Sequence, residues 1–376
     1  NLPYDRKGGI PNAGAISGMD RNSIWVGQII IQSYENHEKI ENYIANLHKG
    51  KAYDAFFDEE TYSSVLWKNN QYYFLGRPLS QKELELLFAW EYRKRDKDIF
   101  ETLEIFDIKD IEEYIRNEKS VAGIGLALDF ISSWFHYNYI YFFLTTTDSA
   151  ANDLSSLAKS TLLGIEANNW DFFLGKNHEK YYSAIPFQNA IKHFSQALLL
   201  GWDTLAVNYG KLLIKMLYGK QYKGWHSAYK HAWFMLEIFC KWQGIELDYS
   251  RLNYPEDMKV YAQALQHWDT NDNELLSKLV NELVDFHIAE SDEYERKNHI
   301  PDFSSADYFI FPVEILLWLN IRERMNFAKY TPNNDLLKMS INNWQIQKVA
   351  IPVIEVVEKA KTKLSDIVKA PDYKGA

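Results

Sequence analysis

Cysteine is nearly absent: in 376 residues only Cys240 carries a thiol. A lone cysteine cannot close an intramolecular disulfide, so nothing covalent staples the fold, and the usage fits a reducing, cytoplasmic setting. Long apolar runs are missing too. The most apolar stretches, 121–131 and 137–144, are broken by Asp129 or by tyrosines and fall short of the roughly 18 apolar residues of a spanning helix, so no membrane association is expected. Positive charge is in deficit, with 41 Lys+Arg against 51 Asp+Glu and a formal net charge of −10. That balance argues against direct nucleic-acid binding, which needs a basic surface to neutralise phosphates. Residues 1–20, rich in Gly, Asn and Pro, lack the apolar stretch of a signal peptide and read as a flexible arm.

What the chain does have is apolar and aromatic material: 47% hydrophobic residues, with 12 Trp, 25 Tyr and 21 Phe. It folds around a substantial core. After residue 20 the apolar positions recur at three and four rather than two, which is the period of a helix face. The fold class expected is therefore all-α. Helices are read at 22–47, 53–67, 80–103, 107–118 and 120–144. Ser80 and Glu83 form a capping box at the third of these, each side chain satisfying a backbone donor near the other. The second half reads as helices at 186–200, 204–218, 225–242, 255–268, 272–293, 312–326 and 352–368. Pro186, Pro255, Pro312 and Pro352 fit first-turn positions, where the missing N–H has no intrahelical partner. Gly201, Gly219 and Gly244 fit helix ends. Short connections suggest stacked antiparallel helical hairpins, compact or gently curved, although no fixed repeat recurs. Residues 148–156 and 167–183 are the candidate boundaries between an N-terminal lobe, 21–180, and a C-terminal lobe, 181–376.

Catalytic signatures are scarce. No Gly-x-Ser-x-Gly elbow exists, and Cys240 lies in an apolar run, which suits a buried structural thiol. Gly123 and Gly125 make an isolated G-x-G inside a helical pattern, read as close helix packing rather than a phosphate cradle. The ten histidines are scattered; His226 and His231 are five apart, while His287 and Glu290 have the i, i+3 spacing of two ligands on one helix face. One such pair makes no metal site, and neither metal nor cofactor is expected. Magnesium-diphosphate enzymes built from helices use Asp-rich motifs at an aromatic cavity, for which Asp107, Asp110, Asp269, Asp272 and Glu274 are the nearest matches. All of these also suit helix starts. The run from Asn152 to Ser156 begins like the second metal motif of terpene cyclases, but the acid expected four residues after Ser156 is Ser160.

Acidic runs remain. Residues 101–118 hold seven acids against Lys109 and Arg116, and residues 282–295 hold six acids and no Lys or Arg. Asp58, Glu59 and Glu60 form a third run. Such runs can be merely solvated, or they can steer a basic partner. Tyr62, Tyr114 and Tyr294 beside them could be anchoring aromatics.

A resemblance sharpens this. It lies in the stretch from Gln196 to Trp202, residues 203–217, Tyr229 to Glu237, Tyr261 to Leu265, residues 269–287 and Phe311 to Trp318. Together these resemble the all-α immunity proteins of bacterial polymorphic-toxin, contact-dependent and type VI secretion systems. Residues 230–258 look most like the immunity partners of polymorphic nuclease toxins. The likeness covers about residues 186–345 and is one of helical rhythm and aromatic placement. It implies no catalytic residues; it implies a cytoplasmic, non-enzymatic inhibitor of a cognate toxin with a basic surface. The candidate contact residues are Asp58, Glu59, Glu60, Glu290, Asp292, Glu293 and Tyr294. The alternatives from the residues themselves are a metal-dependent helical enzyme with an aromatic cavity, resembling terpene cyclases, and a general helical interaction scaffold.

Overall fold

The computed structural model describes residues 65–68, 71–74, 77–78, 80–81, 109, 111–116, 123–145, 153–177, 181–222, 224–291, 299–344 and 348–369. Helices dominate them, and the class is all-α. Eleven α-helices are described in full: α1 (Ile124–Thr145), α2 (Ser155–Asn177), α3 (Phe187–Leu199), α4 (Asp203–Tyr218), α5 (Lys230–Gln243), α6 (Val260–Gln266), α7 (Asn273–Ala289), α8 (Ala306–Phe309), α9 (Val313–Arg324), α10 (Asp335–Lys338) and α11 (Glu355–Lys369). The helix expected at 22–47 lies outside the described residues, as does most of those at 53–67 and 80–103.

One local exception corrects the helical reading of 53–67. Val65–Lys68 is a strand, β1, paired antiparallel with β2 (Gln71–Phe74), Lys68 opposite Gln71. β3 (Arg77–Pro78) completes the meander at its edge, where a proline's missing donor does no harm.

The core is organised around α3, which packs against α2, α4, α5 and α9. Eleven of its 13 residues are buried, among them Lys192, His193, Ser195 and Gln196. α9, almost as buried, returns from far along the chain to lie against α3, α5 and α7. The packing order is therefore not simply sequential. One buried apolar cluster runs from Ile111 to Ala360 and includes residues on both sides of position 180. Residues 348–354 form neither helix nor strand and are tied to the end of α3: the Val349 N–H donates to Leu200 O (3.0 Å), and Trp202 Nε1 donates to Val349 O (2.6 Å).

Several boundaries differ from the periodicity. The helix expected at 225–242 is interrupted: Gly224–Ala228 is a 3₁₀ turn, and α5 starts at Lys230. Asp302, distant in sequence, accepts the N–H groups of Lys230 and His231, so the new helix start is capped by another segment. α6 begins only at Val260, after Lys259 at φ +53°, and α11 begins at Glu355. Pro255 and Pro352 thus precede their helices rather than open them; Pro186 and Pro312 occupy the N-cap. Gly201 and Gly244 adopt positive φ, as helix-closing glycines do, but Gly219 has φ −75° and its neighbour Lys220 takes the left-handed turn. The polar stretch 167–183 is no linker up to Asn177, since α2 runs through it with Asn168 and Asp171 buried.

Candidate functional site

A buried polar assembly joins α1, α3 and α8. Lys192 on α3 donates to Asp307 at 2% and 4% exposure, and Tyr137 and Ser305 donate to the same carboxylate. Burial alone would raise the Asp307 carboxyl, but the Lys192 ammonium holds it well below the usual carboxylate range. Beside the pair, His136 Nε2 lies 3.2 Å from Asp307 O, Gln196 Nε2 3.0 Å from His136 Nδ1, and His193 Nδ1 2.9 Å from Gln196 Oε1. A consistent chain follows, in which both rings are neutral and each donates once. Burial supports that state, lowering His136 to about 4 and His193 to about 3, with Lys192 adding to both. Gly164 makes room for this arrangement, since a Cβ there would lie 2.1 Å from His193 Nε2.

Asp171 on α2 is buried but satisfied, accepting from Tyr181 (2.8 Å), Ser183 (2.5 Å) and the Ala184 N–H (3.1 Å). Asp129 on α1 differs. Burial raises its carboxyl to about 6, Lys192 pulls it down, and Asp307 and Asp171 push it up. A folded value above the unfolded one favours the neutral acid. Its contribution is complete below about pH 4 and is lost as the pH rises through 6. An Asp129→Asn variant is therefore expected to be more stable than the parent by about 2–3 kcal/mol near pH 8, with the gain vanishing near pH 4. Thermal melts across that range check it; equal gains at both ends contradict it.

A second buried cluster lies between α5, α7 and α9. His231 Nδ1 is 3.2 Å from Asp302, His287 Nδ1 is 2.8 Å from Glu314, and Phe303 lies between the two imidazoles at centroid distances of 4.6 and 4.1 Å. These contacts pin residues 302–303 to α5 and α7, and the His287–Glu314 pair joins α7 to α9. His287 and Glu290, three apart on α7, do not converge: His287 turns inward to Glu314, while Glu290 Oε2 accepts from His299 (2.9 Å) and the Asp302 N–H (3.2 Å). Among the described residues no three His, Cys, Asp or Glu side chains come together as a metal site.

Asp272 caps α7, accepting from the N–H groups of Glu274 (2.9 Å) and Leu275 (3.1 Å), and Asp153 accepts the Ser155 N–H (2.8 Å) at the start of α2. Asp107 and Asp110 lie outside the described residues. Gly125 is a close packing point, where a Cβ would stand 2.3 Å from Asp171 Oδ1, whereas Gly123 faces open space. Cys240 is buried, which pushes its thiol up to about 12. Tyr114 is no surface anchor; it packs edge-on against Trp170 at 5.5 Å in the core. Of the candidate contact residues, Asp58, Glu59, Glu60, Asp292, Glu293 and Tyr294 lie outside the described residues, and Glu290 is engaged as above, its side chain 19% exposed.

Residues 241–290 hold ten acids against four Lys+Arg, a balance of −6. They span the end of α5, then α6, α7 and their connections, and α5, α6 and α7 pack one on the next. Glu246, Glu256, Asp269 and Glu274 are exposed there and make no ion pair with another described residue. Tyr249, 46% exposed, belongs to the same stretch, its hydroxyl donated to Glu237 and its ring edge-on to Tyr254 at 4.9 Å. Six of the ten acids lie in the runs read at 269–274 and 282–295; Glu246, Asp248, Glu256 and Asp257 extend them toward α5.

Fold and surface together define a large all-α protein whose apolar core encloses two polar clusters and whose residues 241–290 are acidic. Among the described residues no helix is long and apolar enough to cross a membrane. No protein-family model, curated protein or solved structure matches the chain.

Proposed function

We propose that this chain is a cytoplasmic immunity protein that binds a cognate bacterial toxin, possessed of a basic surface, and blocks the surface through which it acts. The observation that carries the reading is the acidic stretch 241–290, in which Glu246, Glu256, Asp269 and Glu274 are exposed and so is the ring of Tyr249. Complementary charge accelerates encounter and rejects wrong partners, and an aromatic held by its own hydrogen bond anchors at little entropic cost. A nuclease toxin fits best, because it needs cationic side chains to hold phosphates and an acidic inhibitor can take their place. The polar groups of the interior are largely committed to one another and to backbone, which suits a rigid scaffold presenting a fixed surface.

The product of the neighbouring gene, expressed in a naive bacterium, is expected to kill, and this chain to rescue. Rescue is expected to fail, or binding to weaken by about a hundredfold with a shallower salt dependence, in a Glu246→Lys, Glu256→Lys, Glu274→Lys variant. A harmless neighbour, or killing that this chain leaves unrelieved, overturns the reading.

A further inference from the structure

α2 and α4 both pack on α3, and an open cleft of about 430 Å³ lies between them. Its apolar lining is Ile165 from α2 with Leu205 and Leu212 from α4. Tyr209 closes one part of the wall, fixed by its hydroxyl bond to Ala190 O (2.9 Å). The polar lining is Asn169, Asn208, Lys211 and Lys215, all exposed. None of the described residues lining it is acidic, although the chain as a whole carries −10.

The charge there is not locally balanced. Lys211 and Lys215 are one helical turn apart on α4, so their ammonium groups repel, and neither is ion-paired with another described residue. The acids nearest in sequence are engaged elsewhere: Glu166 pairs with Lys361 (3.2 Å) and Asp203 with Arg324 (2.7 Å). An anion set between the two lysines relieves their repulsion. The volume falls within the roughly 300–1,000 Å³ usual for small-ligand sites, and the lining has the usual apolar patch with a few convergent polar groups.

We propose that this cleft binds an aliphatic carboxylate, its two oxygens shared between Lys211 and Lys215, with the Asn169 and Asn208 amides beside them and the hydrocarbon body on Ile165, Leu205 and Leu212. The site is independent of the acidic stretch and of the partner proposed for it.

Calorimetric titration of the full chain with decanoate, below its micellar concentration, tests this. Decanoate is expected to bind, with acetate and decylamine each weaker by about tenfold or more, because acetate lacks the body and the amine has the wrong sign. A Lys211→Glu, Lys215→Glu variant is expected to lose about tenfold or more in affinity, and Asn208→Asp to weaken binding, while Lys241→Glu, an exposed residue near the end of α5, leaves it unchanged. Circular dichroism confirms that each variant is folded. No heat with decanoate, equal binding of decylamine, or undiminished affinity in the folded double variant overturns the proposal.

Discussion

An Asp307→Ala variant is expected to lose about 3–5 kcal/mol of stability, the cost of leaving a buried cation without its partner. The Lys192 ammonium has no solvent to turn to, since its side chain is 3% exposed. Replacing both members, Lys192→Met with Asp307→Leu, is expected to restore most of that loss, because the pair's attraction mainly offsets the desolvation of its own charges. Denaturant unfolding of the two single variants and the double variant measures the coupling. A single variant within about 1 kcal/mol of the parent would falsify the buried pair.

The same cluster sets the acid limit of the fold. His136 and His193 are lowered in the folded state, to about 4 and about 3. The unfolded chain takes up those protons first, so stability falls as the pH drops below about 6.5. Asp307, held low by Lys192, adds its loss only below about pH 4, as the unfolded carboxyl protonates. Asp129 acts oppositely, so its ionisation at neutral pH partly hides the histidine effect.

Arg322→Lys is expected to cost about 2–4 kcal/mol despite keeping the charge. The guanidinium is 1% exposed and donates to three carbonyls, Trp268 O (2.6 Å), Thr270 O (2.5 Å) and Ala328 O (3.0 Å). A planar fork reaches all three; a lysine ammonium at the end of a shorter stem does not. Those bonds tie the turn before α7 to α9, so the turn is expected to loosen together with the Asp272 cap. Denaturant melts give the stability change, and faster hydrogen exchange at the Glu274 and Leu275 amides locates it. Parent-like stability and exchange contradict this role.

Much of the helical order was readable from spacing alone. α3, α4, α7 and α9 fall within a few residues of their expected bounds, and Asp272 caps α7 as its side chain suggests. Those features depend on neighbours three or four positions apart. The helix break before Lys230 was not readable, because the group that caps α5 is Asp302, 71 residues from His231. The strand at Val65 escaped for a related reason: its ladder partner, more than its own composition, holds the pairing. The candidate contact residues were sought in short acidic runs, which hold six of the ten acids of 241–290; Glu246, Asp248, Glu256 and Asp257 lie outside them.

Composition and periodicity were enough to establish an acidic, disulfide-free, helical chain with a large core, since each is a property of the residues or of the turn they occupy. Which helices meet was settled in three dimensions. Nothing near Lys192 in the chain announces Asp307, 115 residues away, and nothing near His287 announces Glu314. A buried charge needs a partner wherever one can be brought, and only the packing of α9 and of residues 302–309 against α3, α5 and α7 brings these partners in.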